Sequence, residues 1–311
     1  MRAPNLRYLF LVNVDLQIGT PILTTSLQLV SLTLWGIPTS THMPPEYLAD
    51  LLVPMPQLRA VSLRFTVSSP IPRSTQPLLA SGVPKMFFTL RCLERLWFTG
   101  YSTYLEGILA RIIAPVLSKF EVYFFDQRSS DTLPNLSRFL DATTELSFRV
   151  ALINFKISHA VIESSDIGPE RRSMGDNKSD KLPFCLSAWV EPFSWHIASA
   201  SQICSAIGPV FSVTEELIFG DYHKYDIIGG AANYTSWPTI LRQFSNIKTL
   251  KVPKRLVKEL SLSLETDDEG DLALLPKLQQ IVVYGDVGHD FDGFIDSRRI
   301  AGRPVSLVRI R

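Results

Sequence analysis

Cysteine is scarce in this 311-residue chain, with three residues at 92, 185 and 204. The number is odd and the spacing matches no metal or redox motif. No disulfide framework is expected, and a reducing compartment is. A dominant charge is missing too: 31 basic residues face 30 acidic ones, a formal net charge of +1. That balance excludes a general polyanion binder, and 46% apolar residues exclude a disordered tail. No apolar run reaches the roughly 18 uncharged residues of a membrane span. The N-terminus does not read as an export signal either. Asn5, Arg7 and Asp15 interrupt or flank the apolar stretch Leu6 to Val14, and no small-residue cleavage site follows. The N-x-Ser/Thr triplets at Asn135, Asn177 and Asn233 are then chance matches. A soluble protein of the cytoplasm or nucleus, without a membrane partner, is expected.

Catalytic signatures are equally lacking. There is no G-x-S-x-G, G-x-G-x-x-G, Walker loop, H-E-x-x-H or C-x-x-C. The five histidines, at 42, 159, 196, 223 and 289, are scattered. Asp221, His223 and Asp226 are metal-ligating residue types, as are Asp286, His289, Asp290 and Asp292. Neither cluster has a known ligand spacing, and both follow expected strands, where polar loops belong. The run Lys248, Lys251, Lys254, Arg255 and Lys258 reads as a solvated face, because phosphate binding needs a concentrated positive surface. Gly229-Gly230 reads as a turn. No enzyme activity, metal, cofactor or nucleic-acid partner is therefore expected.

What the chain does have is a repeat. Leu6, Leu9 and Leu11 follow the spacing L-x-x-L-x-L, which returns at Leu29-Leu32-Leu34, Leu58-Val61-Leu63, Leu93-Leu96-Phe98 and Leu117-Phe120-Val122. Less cleanly it continues at Thr143-Leu146-Phe148. After a gap come Thr214-Leu217-Phe219, Ile247-Leu250-Val252, Leu278-Ile281-Val283 and Val305-Val308-Ile310. Pro-x-Leu opens several of these, as in Pro4-Asn5-Leu6, Pro56-Gln57-Leu58 and Pro276-Lys277-Leu278. Each triplet predicts a short strand whose last two apolar positions share a face. Helical patterns lie between them. Leu105, Ile108, Leu109 and Ile112 form one stripe, opened by a Thr103–Glu106 capping box and stopped near Pro115. Leu48, Leu51 and Leu52 form another, and Ile240, Leu241 and Phe244 a third.

Strand, turn and helix in repetition predict an α/β fold: an irregular leucine-rich-repeat-like solenoid of short parallel strands in a curved stack. One repeat domain over residues 1–311 is expected. An ordinary doubly wound sheet would show longer β-branched runs and a Gly-rich first turn. The place of the regular repeat's Asn or Cys is held by Ile37, Thr66, Tyr101, Phe125, Tyr222, Arg255 and Asp286. Residues 151–213 break the rhythm. Ile153, Phe155 and Ile157 suggest one strand there, and Phe184, Leu186 and Ala188 another. A polar loop inserted at about 163–182 lies between them. Ile197 to Val210 reads as helix, and Glu265 to Asp271 as a solvated acidic stretch.

Three segments carry a family resemblance. They are Phe193-Ser194-Trp195-His196-Ile197-Ala198-Ser199 with Gln202-Ile203-Cys204; Trp237-x-x-Ile240-Leu241-Arg242-x-Phe244-x-x-Ile247-Lys248-x-Leu250; and Phe294-Ile295-x-x-Arg298-x-x-Ala301-Gly302-Arg303-Pro304-Val305. The chain resembles the leucine-rich-repeat-like F-box proteins of mushroom-forming fungi. That resemblance implies substrate recognition for a ubiquitin ligase. It also implies an F-box upstream of the repeats that docks on the adaptor of a cullin ligase. His42-Met43-Pro44-Pro45-Glu46-Tyr47-Leu48 is similar to an F-box opening. It runs straight into the Pro56-Gln57-Leu58 strand, however, and is read as a repeat helix, so no F-box is expected within this chain.

In L-x-x-L-x-L the residue between the last two apolar positions points away from the core. That column runs Phe10, Thr33, Ser62, Trp97, Glu121, Ser147, Ile218, Lys251, Val282 and Arg309. Two residues earlier stand Tyr8, Ser31, Ala60, Arg95, Lys119, Glu145, Glu216, Thr249, Gln280 and Leu307. Two residues later the column includes Trp35, Tyr123 and Tyr284. Aromatics and arginine anchor protein interfaces. The expected protein-binding residues are therefore Tyr8, Phe10, Trp35, Arg95, Trp97, Lys119, Glu121, Tyr123, Lys251 and Tyr284. The expected function is non-catalytic protein recognition. A structural or assembly repeat protein unrelated to ubiquitin is the alternative, and a hydrolase or metal enzyme on an α/β fold is a more distant one.

Overall fold

The computed structural model describes residues 4–14, 21–37, 44–66, 87–125, 132–143, 145–146, 148–155, 159–165, 183–189, 194–220, 236–265, 274–285 and 289–310. The chain forms two compact units, one of residues 1–125 and 133–146, the other of 126–132 and 147–311. Each is a mixed α/β structure on a mostly parallel sheet.

Unit 1 contains β1 (Tyr8–Val12), α1 (Pro21–Thr25), β2 (Ser31–Ile37), α2 (Pro45–Leu52), β3 (Ala60–Phe65), β4 (Phe88–Thr89), β5 (Arg95–Gly100), α3 (Ser102–Leu109), β6 (Ile112–Ile113), β7 (Lys119–Phe124) and α4 (Pro134–Asp141). Strands β1, β2, β3, β5 and β7 pair in that order, all parallel, while β4 and β6 form a separate two-stranded ribbon. The leucine triplets set the register. Leu9, Leu32, Val61, Leu96 and Phe120 lie side by side. All five are buried, and each fully buried side chain of this size contributes roughly 1.5–3 kcal/mol.

A recurring turn brings β2, β3, β5 and β7 into line. The N–H of the first leucine closes on the carbonyl three residues back, as in Leu58 to Met55, Leu93 to Leu90 and Leu117 to Ala114. Pro56 and Pro115 occupy the second position of two such turns, where a fixed φ is already correct. This is the physical content of the Pro-x-Leu signal. The next two N–H groups then share one carbonyl of the preceding repeat: Val30 and Ser31 on Arg7, Arg59 and Ala60 on Val30, Glu94 and Arg95 on Arg59. The same device recurs in unit 2, where Lys248 and Thr249 share Glu215 and Gln279 and Gln280 share Lys248.

No asparagine ladder was expected at the far end of the strands. The backbone of Thr66 bonds instead to the Ile37 carbonyl at 3.1 Å, and that of Phe125 to Gly100 at 2.9 Å. The Tyr101 and Phe125 rings meet edge-on, 5.6 Å apart. Helix α3 lies between α2 and α4. Its glycine, Gly107, permits this approach: a Cβ there would stand 2.5 Å from Pro45. The expected Thr103–Glu106 capping box does not form. Tyr101 occupies the N-cap without a side-chain bond, and the helix stops at Leu109 rather than near Pro115. Glu106 instead accepts the N–H groups of Asn135 and Leu136, each at 2.8 Å, at the start of α4.

Unit 2 contains β8 (Val150–Phe155), β9 (His159–Ser165), β10 (Phe184–Trp189), α5 (Ser194–Ile207), β11 (Glu216–Gly220), α6 (Ser236–Arg242), β12 (Thr249–Pro253), α7 (Val257–Glu265), β13 (Gln280–Tyr284), α8 (Asp292–Ile300) and β14 (Ser306–Ile310). Its strand order is β10-β9-β8-β11-β12-β13-β14. Here the expectation of parallel strands fails once, because β9 runs antiparallel to both β8 and β10. It also occupies Glu163 to Ser165, the beginning of the expected inserted loop; residues 166–182 lie outside the described part. The core of this unit is aromatic. Phe148, Phe184, Phe211 and Phe244 form a chain of ring contacts 5.0–6.5 Å apart.

Two expected triplets are misplaced. Thr143-Leu146-Phe148 is not a strand: the Thr143 hydroxyl donates to the Leu140 carbonyl at 2.6 Å and closes α4. The strand begins at Val150, and Ala151 pairs with Leu217, so Phe148, Ala151 and Ile153 form the true triplet. At β14 the register slips by one. Ile281 pairs with Leu307 and Val282 with Val308, so Leu307 faces the core side and Arg309 leaves the central outward column. Apolar residues alternate imperfectly from Val305 to Ile310, and such a run does not distinguish a one-residue slip.

Candidate protein-recognition face

The outward columns read from the sequence are real neighbours in unit 1. Phe10, Thr33, Ser62, Trp97 and Glu121 pair across five strands. Tyr8, Ser31, Ala60, Arg95 and Lys119 form the column before, and Val12, Trp35, Arg64, Thr99 and Tyr123 the column after. Tyr8 is 68% exposed and Phe10 59%, while Trp35, Trp97 and Tyr123 each keep 37–38%. Rings this open on a sheet face leave apolar surface in water.

Local contacts hold these rings in place. Phe10 and Trp35 meet edge to face at 5.3 Å. The Trp35 indole N–H donates to Ser62 Oγ at 3.2 Å, and the Arg64 guanidinium lies 5.9 Å from the Trp35 ring centre. Lys119 Nζ sits 5.9 Å over Trp97, an arrangement that a ring quadrupole favours. The structure thus brings together Tyr8, Phe10, Trp35, Arg95, Trp97, Lys119 and Tyr123. Glu121 occupies its expected column but is only 5% exposed, and its Oε1 accepts the Tyr123 hydroxyl at 3.2 Å. Arg64 belongs to this set and was not singled out from the sequence. Its signal was present, two residues after Ser62 in the column that holds Trp35.

Lys251 and Tyr284 belong to unit 2. Lys251 Nζ pairs with Glu216 at 3.0 Å, with 13% of its side chain exposed. Its column neighbours Ile218 and Val282 are buried, so this part of the unit 2 sheet presents no open aromatic surface. Tyr284 is half-buried, beside Pro253 in register. Lys248, another member of the basic run, pairs with Glu215 at 2.7 Å, as does Arg149. These two donors hold the Glu215 carboxyl at about 2, well below its ordinary 4.5.

The described residues of the resemblance segments include packed ones. Trp237 is fully buried between Phe155 and Phe219, its N–H donating to Glu259 at 3.4 Å, and burial pushes that carboxyl up. Arg298 is also fully buried, with Nη2 donating to the Leu275 carbonyl at 2.6 Å. Ile197, Ser199, Ile203 and Cys204 of α5 are buried. His289 pairs with Asp292 at 2.6 Å at the start of α8. Asp286, the Asp221/His223/Asp226 cluster and Gly229-Gly230 lie outside the described residues. Among the described residues no three His, Cys, Asp or Glu side chains gather as metal ligands, and no helix is long and apolar enough to cross a membrane. No family model matches the chain, and no curated protein matches it.

Proposed function

We propose that this chain is a non-catalytic protein-recognition domain whose binding surface is the outward sheet face of unit 1. The observation that carries the reading is the in-register placement of Tyr8, Phe10, Trp35, Trp97 and Tyr123, with Arg64, Arg95 and Lys119 among them. Rigid aromatics beside cations supply the anchors that protein interfaces use. On the finer fold, the reading is an irregular leucine-rich-repeat-like solenoid. The recurring turn and the shared carbonyl, both present at β2, β3, β5, β7, β11, β12 and β13, support it. With the family resemblance, the domain is the substrate-recognition part of an F-box ubiquitin-ligase subunit, an assignment that rests on analogy.

Tagging the chromosomal gene at its 3′ end and identifying co-purified proteins tests both parts. The expected result is a protein partner that is lost on Trp97→Ala, together with the cullin adaptor. Recovery of the partner without the adaptor would remove ubiquitin from the reading. Partners insensitive to Trp97→Ala and Phe10→Ala would remove the recognition face.

A further inference from the structure

We infer that the trough between the Phe10 and Trp97 ridges of unit 1 binds an extended acidic peptide segment, in which carboxylate side chains alternate with apolar ones. This rests on the recognition reading above and names its ligand class. The floor is small at one end only, where Ser31 and Thr33 on β2 lie beside Ala60 and Ser62 on β3; Trp35 and Arg64 close the other end, with the indole N–H on Ser62 Oγ at 3.2 Å. Phe10 rises on one side, on β1, and Trp97 on the other, on β5. With strands about 4.8 Å apart the ridges stand about 14 Å apart, and one extended chain with its side chains needs about 10 Å.

Among the described residues of the outward columns, cations outnumber carboxylates. Arg64, Arg95 and Lys119 occupy outward positions on β3, β5 and β7. Among the described residues no ion pair engages Arg64 or Arg95. The acidic residue of these columns, Glu121, is buried and holds the Tyr123 hydroxyl. Single-stranded nucleic acid would need ring faces free for stacking. Here Trp35 carries Phe10 and Arg64, and Trp97 carries Lys119. Carboxylates meeting the guanidinium groups, with apolar side chains against the ring edges, suit the arrangement better.

The test is fluorescence anisotropy on the full chain with three labelled probes of equal length: a glutamate–leucine alternating peptide, its lysine–leucine counterpart and an oligothymidylate. The glutamate–leucine peptide should bind, weaken with added salt, and weaken at least tenfold on Arg95→Glu or Arg64→Glu. Circular dichroism and a urea midpoint confirm that each variant is folded, and Arg95→Gln serves if the charge reversal is not. Equal binding of both peptides, indifference to both arginine variants, or tighter oligothymidylate binding would overturn the inference. If no probe binds while a partner still co-purifies in a Trp97-dependent way, the ligand class is wrong and the recognition reading stands. If that partner is absent as well, both fall.

Discussion

The Glu106 carboxylate accepts two backbone N–H groups of a neighbouring helix, while Arg138 of that helix donates to the Leu109 carbonyl at 2.5 Å. Each helix thus satisfies an orphan terminus of the other. Burial pushes the Glu106 carboxyl up, and the two N–H donors and Arg138 oppose it. Glu106→Ala strands the Asn135 and Leu136 N–H groups, so a loss of about 1–3 kcal/mol is expected in urea unfolding. Gly36 is a second such residue. Its φ is +66°, and a Cβ there would lie 1.9 Å from Asn13 Oδ1. Gly36→Ala should cost more than about 1 kcal/mol by the same measurement. The thiols differ by burial: Cys185 and Cys204 are buried and Cys92 is half-buried, and burial pushes the Cys204 thiol up. Ellman's reagent should titrate Cys92 first in the native protein and all three thiols in denaturant.

Among elements, the repeating turn explains why leucine spacing predicted strand positions so well. At Leu29, Leu58, Leu93, Leu117 and Leu278 the first leucine is the buried end of a hydrogen-bonded turn, which fixes its spacing from the strand. The same logic shows why Thr143-Leu146-Phe148 misled. A helix end and a strand start both place buried residues at short intervals, and the small Ala151 hides the true inward position. Further along, Glu215 lies where β8, β11 and β12 enter their ladder, paired with Arg149 and Lys248. Its folded pKa is depressed, so the stability it contributes is present above its ordinary 4.5 and is lost as pH falls toward about 2. The thermal midpoint of wild type should therefore exceed that of Glu215→Gln at pH 7, and the gap should close in acid. At α8 the buried Arg298 satisfies the carbonyl of Leu275, whose own φ is +47°. Arg298→Ala should cost about 2–4 kcal/mol in the same unfolding assay, and Arg298→Lys should restore only part of it, because a lysine lacks the planar fork.

For the whole molecule, binding and stability should separate. Trp97 stands on an outward position, so Trp97→Ala should still unfold cooperatively in urea, with a loss of about 1–3 kcal/mol for the part of the ring that its neighbours cover. The same variant should lose its partner in affinity purification. The sequence by itself determined the inward ladder of unit 1, because burial repeats whenever an apolar side chain returns at the same step of a strand. It also determined which residues share an outward column in unit 1, since a parallel register carries that spacing from strand to strand. Only the tertiary structure decided which outward positions meet water. Glu121, Ile218 and Val282 stand in the same pattern as Phe10 and Trp97, yet they are buried. Tertiary structure also decided that β9 reverses direction and that Glu106 caps a different helix from its own. Exposure and pairing at these places depend on what lies across from a residue, and spacing along a chain does not encode that.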